Sequence, residues 1–338
     1  MIAEAGSIGH DLTRVPLANL GTRRKFCNMI NYNPHDWRSH LLDIRGSMLP
    51  EIIGRVVLCV AWSVVVTSAH ELLPRWYPWF SLSVPATVHT LVGTALGLLL
   101  VFRTNSSYDR FWEGRRLWGG MVNECRNIAR QACTTLTAVP ELQRDLILWT
   151  ASFPYAAMSA LRGTRALAPS SSNLRPQETE QVLAAQHMPL AVARKISAAA
   201  IAARDRGALS DQMLMSIDQN VNLLIDYIGG CERIHRTPIP FAYMVHLRRA
   251  LILYCFTLPF VLVEPLHWWT VAGTFLLAFV FFGVEEIGVE IEDPFGFDEN
   301  DLPLERFCQT IEANLLAVLN PADFQPPADT TNEDDEQD

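Results

Sequence analysis

Apolar residues gather into four long runs, separated by segments in which polar and charged positions recur. The runs cover Ile52–Ala69, Ser81–Phe102, Phe241–Val263 and Leu266–Val284, each close to the roughly 20 residues a helix needs to cross a bilayer. Arg55 stands near the start of the first, where a long side chain can snorkel to the boundary. The second contains no charge. The third carries His246, Arg248 and Arg249 near its beginning and Pro259 near its end. The fourth opens on His267-Trp268-Trp269, an aromatic belt of the kind found at membrane interfaces. A soluble core helix can imitate one such run. Four together predict an integral membrane protein.

Between the second and third runs the periodicity is helical. Residues 107–139 are expected to be a long arginine-rich helix. Leu142–Leu161 is apolar enough to resemble a fifth span, but Arg144, Asp145, Pro154 and Arg162 argue for a buried helix. Ala168–Pro176 is built of turn formers and is expected to be a flexible loop. Residues 178–206 read as one or two alanine-rich helices, broken at Pro189. Leu209–Ile228 is amphipathic: Leu209, Met213, Ile217, Val221, Leu224 and Ile228 share one face, and Gln212, Ser216, Gln219, Asn222 and Asp226 the other. Gly229-Gly230 is expected to end this helix, with Pro238 and Pro240 starting the third span afresh. The polar face is either plain solvent surface or the wall of a wet vestibule.

Charge sets the orientation. The basic residues are 25 Arg and two Lys, and the net charge of −9 disfavours a nucleic-acid partner. Six of the basic residues precede the first span (Arg14, Arg23, Arg24, Lys25, Arg38, Arg45) and sixteen lie in 103–240. The 70–80 loop has only Arg75, and the turn between the last two spans has none. Positive residues accumulate on the cytoplasmic side, so both termini and the long central segment are placed there. The first 40 residues hold charges and no apolar leader core, and no transit peptide is evident. The expected location is therefore a bacterial plasma (inner) membrane. The seven cysteines form no C-x-x-C pair and read as reduced, packed thiols. Asn320–Asp338 is proline-rich and acidic, and is expected to be disordered.

The second run offers the most chemistry. Thr94, Leu98 and Phe102 fall at i, i+4 and i+8 on one stripe, and Gly93 and Gly97 form a small-residue edge for close helix approach. Directly after it comes Phe102-Arg103-Thr104-Asn105-Ser106-Ser107-Tyr108-Asp109-Arg110-Phe111-Trp112-Glu113-Gly114-Arg115-Arg116-Leu117-Trp118-Gly119. This stretch resembles the signature of the bestrophin family, as in bacterial bestrophins and the related plant thylakoid anion channels. Gly229-Gly230-Cys231-Glu232-Arg233-Ile234 with Thr237–Tyr243 is a second matching block, and Glu290–Gly296 with Asn300–Leu304 a third. A weaker fourth block is Asp43-Ile44-Arg45-Gly46-Ser47. The blocks keep family order and spacing, so the resemblance covers roughly residues 36–318.

The resemblance implies an all-α homopentameric ion channel with a single axial pore, four spans per subunit and a helical cytosolic domain. Its neck positions fall on Thr94, Leu98 and Phe102, and its cytosolic aperture on Gln212. Arg103, Asn105, Tyr108, Arg110, Glu113 and Arg115 carry the motif that flanks the neck. Thr94 and Gln212 are polar where bacterial relatives are mostly bulky and apolar. The implied organisation is a cytoplasmic segment (1–51), two spans with the neck (52–102), a cytosolic domain with the aperture (103–240), two further spans (241–284), an acidic and helical segment (285–319) and the tail (320–338).

Rings of Leu98 and Phe102 would gate by dewetting. Phe102 edges, the positive part of the ring quadrupole, would favour anions. Thr94 hydroxyls and Gln212 amides can serve either sign. The expected activity is passive conduction of chloride or another small monovalent anion, with monovalent cation conduction as the alternative within the family. The alternative of another class is a non-conducting scaffold that binds a soluble partner. Expected partners are copies of the chain, membrane lipid and the permeating ions. Enzymatic activity is not expected, since H-E-x-x-H, G-x-S-x-G and P-loop patterns are all absent. The acidic stretch Glu285–Glu305 corresponds to the calcium clasp of animal bestrophins, which raises Glu292, Asp293, Asp298 and Asp301 as calcium ligands. EF-hand spacing is not met. The reading adopted is ion pairing and helix-end packing, with no cofactor and no metal required.

Overall fold

A computed structural model describes residues 46–73 and 83–319. Arg75, the six basic residues of the N-terminal segment, the Asp43-Ile44-Arg45 part of the fourth block and the acidic tail lie outside the described residues. Among those described, all regular structure is helical: α1 (Leu49–Leu72), α2 (Ala86–Thr135), α3 (Pro140–Leu161), α4 (Pro176–Ala184), α5 (Met188–Asp205), α6 (Asp211–Arg236), α7 (Phe241–Leu266), α8 (Trp269–Glu290) and α9 (Leu304–Leu319). Helices α1, α2, α7 and α8 are long and apolar enough to cross a membrane. Their outward faces carry large exposed apolar side chains such as Val57, Leu58, Leu253 and Leu276. In water such a surface would be a liability; in lipid it is solvated.

Prolines set several starts, because a missing N–H costs nothing in a first helical turn. Pro50, Pro140, Pro176 and Pro189 all occupy that position. Pro189 thus opens α5 rather than interrupting a longer helix. Helices α7 and α8 are joined by a tight turn in which His267 takes a left-handed conformation (φ 48°) and its imidazole meets Glu71 at 2.8 Å.

Two cores form. Ile52, Val56, Leu96, Leu100, Leu251, Leu258 and Phe282 interlock the four spans. Trp118, Met121, Trp149, Phe153, Ile196, Ile217 and Leu224 fill the helical domain, with α9 closing it through Cys308 and Ile311. As expected, α3 is a core helix: Leu146 through Ala157 are buried without interruption. The buried thiols of Cys125, Cys231 and Cys308 are pushed up by desolvation, Cys231 to about 12, so they act as small hydrophobes.

The second run and the arginine-rich helix after it are one element. Helix α2 extends over 50 residues, about 75 Å at 1.5 Å per residue. It therefore links the membrane to the helical domain without a joint. The polar part stays helical because Arg103, Ser107, Gly114, Trp118, Met121, Cys125 and Ile128 present a buried stripe at helical spacing.

Two local expectations are corrected. Gly229-Gly230 does not end α6, which continues to Arg236. Gly230 instead faces Leu117 of α2, where a Cβ would lie 2.9 Å from Cδ1, so the glycine serves helix contact rather than capping. The segment 168–176 is not a flexible loop either. It contains a 3-10 turn (Pro169–Asn173), and the Ser170 N–H donates to the buried Glu312 carboxylate at 2.8 Å.

Candidate pore-lining site

Thr94, Leu98 and Phe102, the expected neck residues, share one exposed face of α2. Leu98 is 55% and Phe102 57% exposed, and Thr94 is exposed beside them. The opposite face, Leu96, Leu100 and Arg103, is buried among the other spans. The stripe continues through Asn105, Tyr108 and Trp112, all exposed, at spacings of three or four. A helix that spans a membrane with one face packed and another lined by Thr, Leu and Phe is organised to meet something other than its own chain.

The Thr94 hydroxyl donates to the Thr90 carbonyl at 2.9 Å. What it turns outward is therefore the acceptor side of its oxygen. Gly93 allows the close approach expected of it: a Cβ there would lie 2.5 Å from the Tyr254 hydroxyl of α7. Gly97 meets no neighbour within the chain. Tyr243 of α7 donates its hydroxyl to the Leu99 carbonyl at 3.0 Å, fixing the backbone beside Leu98.

The motif residues after the neck divide by face. Arg103 does not join the outward stripe. Its guanidinium is fully buried, 3.2 Å from Glu285 Oε1 and 3.3 Å from Glu292 Oε2. Glu285 also accepts from Arg248 Nε at 2.8 Å and lies 3.5 Å from Arg55 Nη1, while Arg55 Nη2 meets Glu286 at 2.7 Å. Arg55 thus pairs inside the bundle as well as standing near its edge. The network ties α1, α2, α7 and α8 together where the spans adjoin the helical domain. A Cβ on Gly288 would lie 3.3 Å from Arg103 Nε, so the α8 glycine makes room for the guanidinium.

Arg110 works on backbone. Its Nε donates to the Glu292 carbonyl (3.0 Å), Nη2 to Ile234 (2.7 Å) and Nη1 to Thr237 (2.5 Å). One side chain thereby satisfies carbonyls at the ends of both α6 and α8, which lack partners in their own helices. Glu113 pairs with Arg233 at 3.3 Å on the surface, and Arg115 stacks over Phe307 of α9 at 4.8 Å. Asn105 and Tyr108 remain on the stripe with Phe102.

Gln212 lies in the first turn of α6, exposed, with Ser210 as N-cap accepting from the Met213 N–H at 3.3 Å. One turn on, Ser216 accepts from Gln131 of α2 at 2.8 Å, and Asn220 donates to the same glutamine at 3.1 Å. Gln212 is therefore placed near the far end of α2. Phe102 and Gln131 are separated by about 45 Å of helix. The expected neck positions thus lie in the first third of α2, and the expected aperture position, on α6, beside its last turns. A helix N-terminus favours anions, although Asp211 beside it is acidic and exposed.

The calcium candidates are brought to one region but already have protein partners. Glu292 holds Arg103 and accepts the Ile239 N–H at 2.8 Å. Asp293 meets His235 at 3.2 Å, and Asp301 accepts the Asp298 N–H at 2.7 Å. Asp293, Asp298 and Asp301 border an acidic cavity of about 400 Å³ with Glu51, Glu286 and Glu290. Burial, reinforced by the charges of Asp298 and Asp293, raises Asp301 to about 7. No group of three or more His, Cys, Asp or Glu among the described residues has the geometry to hold a metal ion.

Glu285 is the central residue that sequence reasoning did not single out for the site. Its signal was a carboxylate near the close of the fourth apolar span, where an ionised group needs a partner.

The family model for bacterial and fungal bestrophins matches residues 28–317. A voltage-dependent anion channel-forming protein of Synechocystis sp. is 39% identical over 297 residues, covering 85% of this chain and 93% of the relative. A like-named protein of Escherichia coli K12 is 31% identical over 288 residues, covering 85% and 93%. Among solved structures, a variant of a bacterial bestrophin homologue from Klebsiella pneumoniae superposes with a TM-score of 0.74 at 32% identity, covering 80% of this chain and 99% of that one.

Proposed function

The chain belongs to the bacterial and fungal bestrophin family, and from that membership we propose that it forms a homopentameric, passive channel for chloride or other small monovalent anions. The observation that carries this is the 50-residue helix α2, with Thr94, Leu98 and Phe102 turned away from the chain's own core. One copy encloses no axial passage with that stripe. Copies arranged around an axis place Leu98 and Phe102 in successive apolar rings, which resist hydrated ions and open by wetting.

Selectivity then rests on few groups. The Thr94 oxygen offers mainly acceptors outward and does not favour anions. Phe102 edges do, and so do the α6 N-termini beside Gln212. The names of the relatives, anion channel-forming proteins, point the same way. Both termini and the helical domain would lie on the cytoplasmic side of an inner membrane, and passive conduction needs no catalytic step or cofactor.

Purified full-length protein tested in a planar bilayer, with its mass measured in detergent, checks the proposal. Single-channel steps from a species of five chains support it. Absence of current above background would leave the non-conducting scaffold.

A further inference from the structure

A second site lies at the same level as the Arg103 network but on its outer side. A cavity of about 240 Å³ is lined by Arg55 of α1, Arg248, Leu251 and Ile252 of α7, and Phe282 and Glu285 of α8. Helix α2 contributes nothing to its wall, so the cavity opens away from the pore-lining stripe. Its depth is that of a membrane boundary: Arg55 and Arg248 both lie in the second turn of their spans, and Glu285 five residues before the end of α8.

The wall carries two guanidinium groups and one carboxylate, which is buried and shared; Arg55 is also held from outside the wall by Glu286 at 2.7 Å, so the terminal nitrogens left to a ligand are those of Arg248. Glu285 is 1% exposed and serves Arg103, Arg248 and Arg55 together. Arg55 and Arg248 keep 41% and 46% of their side chains exposed. Arg248 engages Glu285 through Nε alone, and its two terminal nitrogens donate to no other described residue. Those donors sit beside Ile252, exposed and apolar, and Phe282.

We infer that this cavity binds the phosphodiester headgroup of an anionic phospholipid, with an acyl chain running along Ile252. The forked donors of arginine match phosphate oxygens. Basic pockets between spans at a membrane boundary recognise anionic headgroups. The apolar floor distinguishes this occupant from a free anion, which gains nothing from Leu251, Ile252 and Phe282. A bound headgroup would brace α1, α7 and α8 around the same glutamate that holds Arg103 of the pore helix. That makes the lipid a structural ligand of the bundle.

Native mass spectrometry of the full-length protein in detergent tests this, titrating phosphatidylglycerol and phosphatidylcholine of matched chains. Wild-type protein should bind phosphatidylglycerol about tenfold more tightly, with millimolar inorganic phosphate unable to displace it. Arg248→Gln, which keeps a donor for Glu285, and Arg55→Gln should each remove most of that preference. Equal binding of the two lipids by the wild type overturns the proposal without reference to any variant's folding. A preference that survives both substitutions places the lipid elsewhere and overturns it too. Displacement by phosphate overturns the lipid assignment in favour of a free-anion site.

Discussion

Arg103 and Glu285, 182 positions apart, meet inside the bundle with Nη1 and Oε1 3.2 Å apart and both side chains withdrawn from solvent. Arg103, which follows Phe102, therefore anchors α2 within the bundle instead of joining the outward stripe. Phe102 and Arg103 are adjacent on α2, and the turn of about 100° between them sends one outward and the other into the network.

Removing one member of such a pair leaves an uncompensated buried charge, which costs about 3–5 kcal/mol. Glu285→Gln leaves Arg103 with Glu292 alone and takes the shared carboxylate from Arg248 and Arg55. Its thermal or denaturant unfolding in detergent should show a loss of that order. Glu113→Gln, which touches only the exposed Arg233 pair, should stay within about 1 kcal/mol of wild type. Equal small effects would dismiss the network as the anchor.

Leu98→Ala and Phe102→Ala shrink the two apolar rings. Conductance should rise about twofold or more, and the Phe102 change should also weaken anion preference. Single-channel recording against Leu253→Ala, an exposed apolar residue of α7, checks it. No difference between neck and control would remove these residues from the pore.

Close approach of α2 and α6 depends on Gly120, where a Cβ would fall 2.5 Å from Tyr227 Cζ. Alanine is the better helix former, yet Gly120→Ala should lower stability by about 1–3 kcal/mol through overpacking. Adding Tyr227→Ala should recover part of it, which a double-mutant cycle in thermal unfolding reads directly.

Asp301 gives a pH dependence with a definite sign. Its carboxyl stands near 7 in the folded protein, against an ordinary value of 3.8. The folded state therefore holds this proton when the unfolded state has released it. Stability falls as pH rises from about 4 through about 7 and then levels off. Asp301→Asn should flatten that part of the profile, measured by unfolding between those limits; an unchanged slope would assign it to other groups.

The membrane architecture was legible because span length and apolar content are local properties. The outward stripe of α2 was legible too, since it needs only helical spacing. Continuity through Phe102 was harder, because hydropathy stops there while the helix does not. What carries it on is amphipathicity against partners such as Trp149 and Phe295, far away in sequence. Gly229-Gly230 misled for the same reason: the leucine that explains Gly230 is on another helix. The roles of Arg103 and Arg110 were not readable, since their partners lie more than 120 positions away. A motif marks such residues without saying whether they face an ion or a glutamate.

Copies of α2 are proposed to enclose an anion-selective pore. The direct measurement is the reversal potential of the purified protein in a planar bilayer with unequal KCl on the two sides. A value near the chloride equilibrium potential is the predicted result. A value near that of potassium would contradict anion selection.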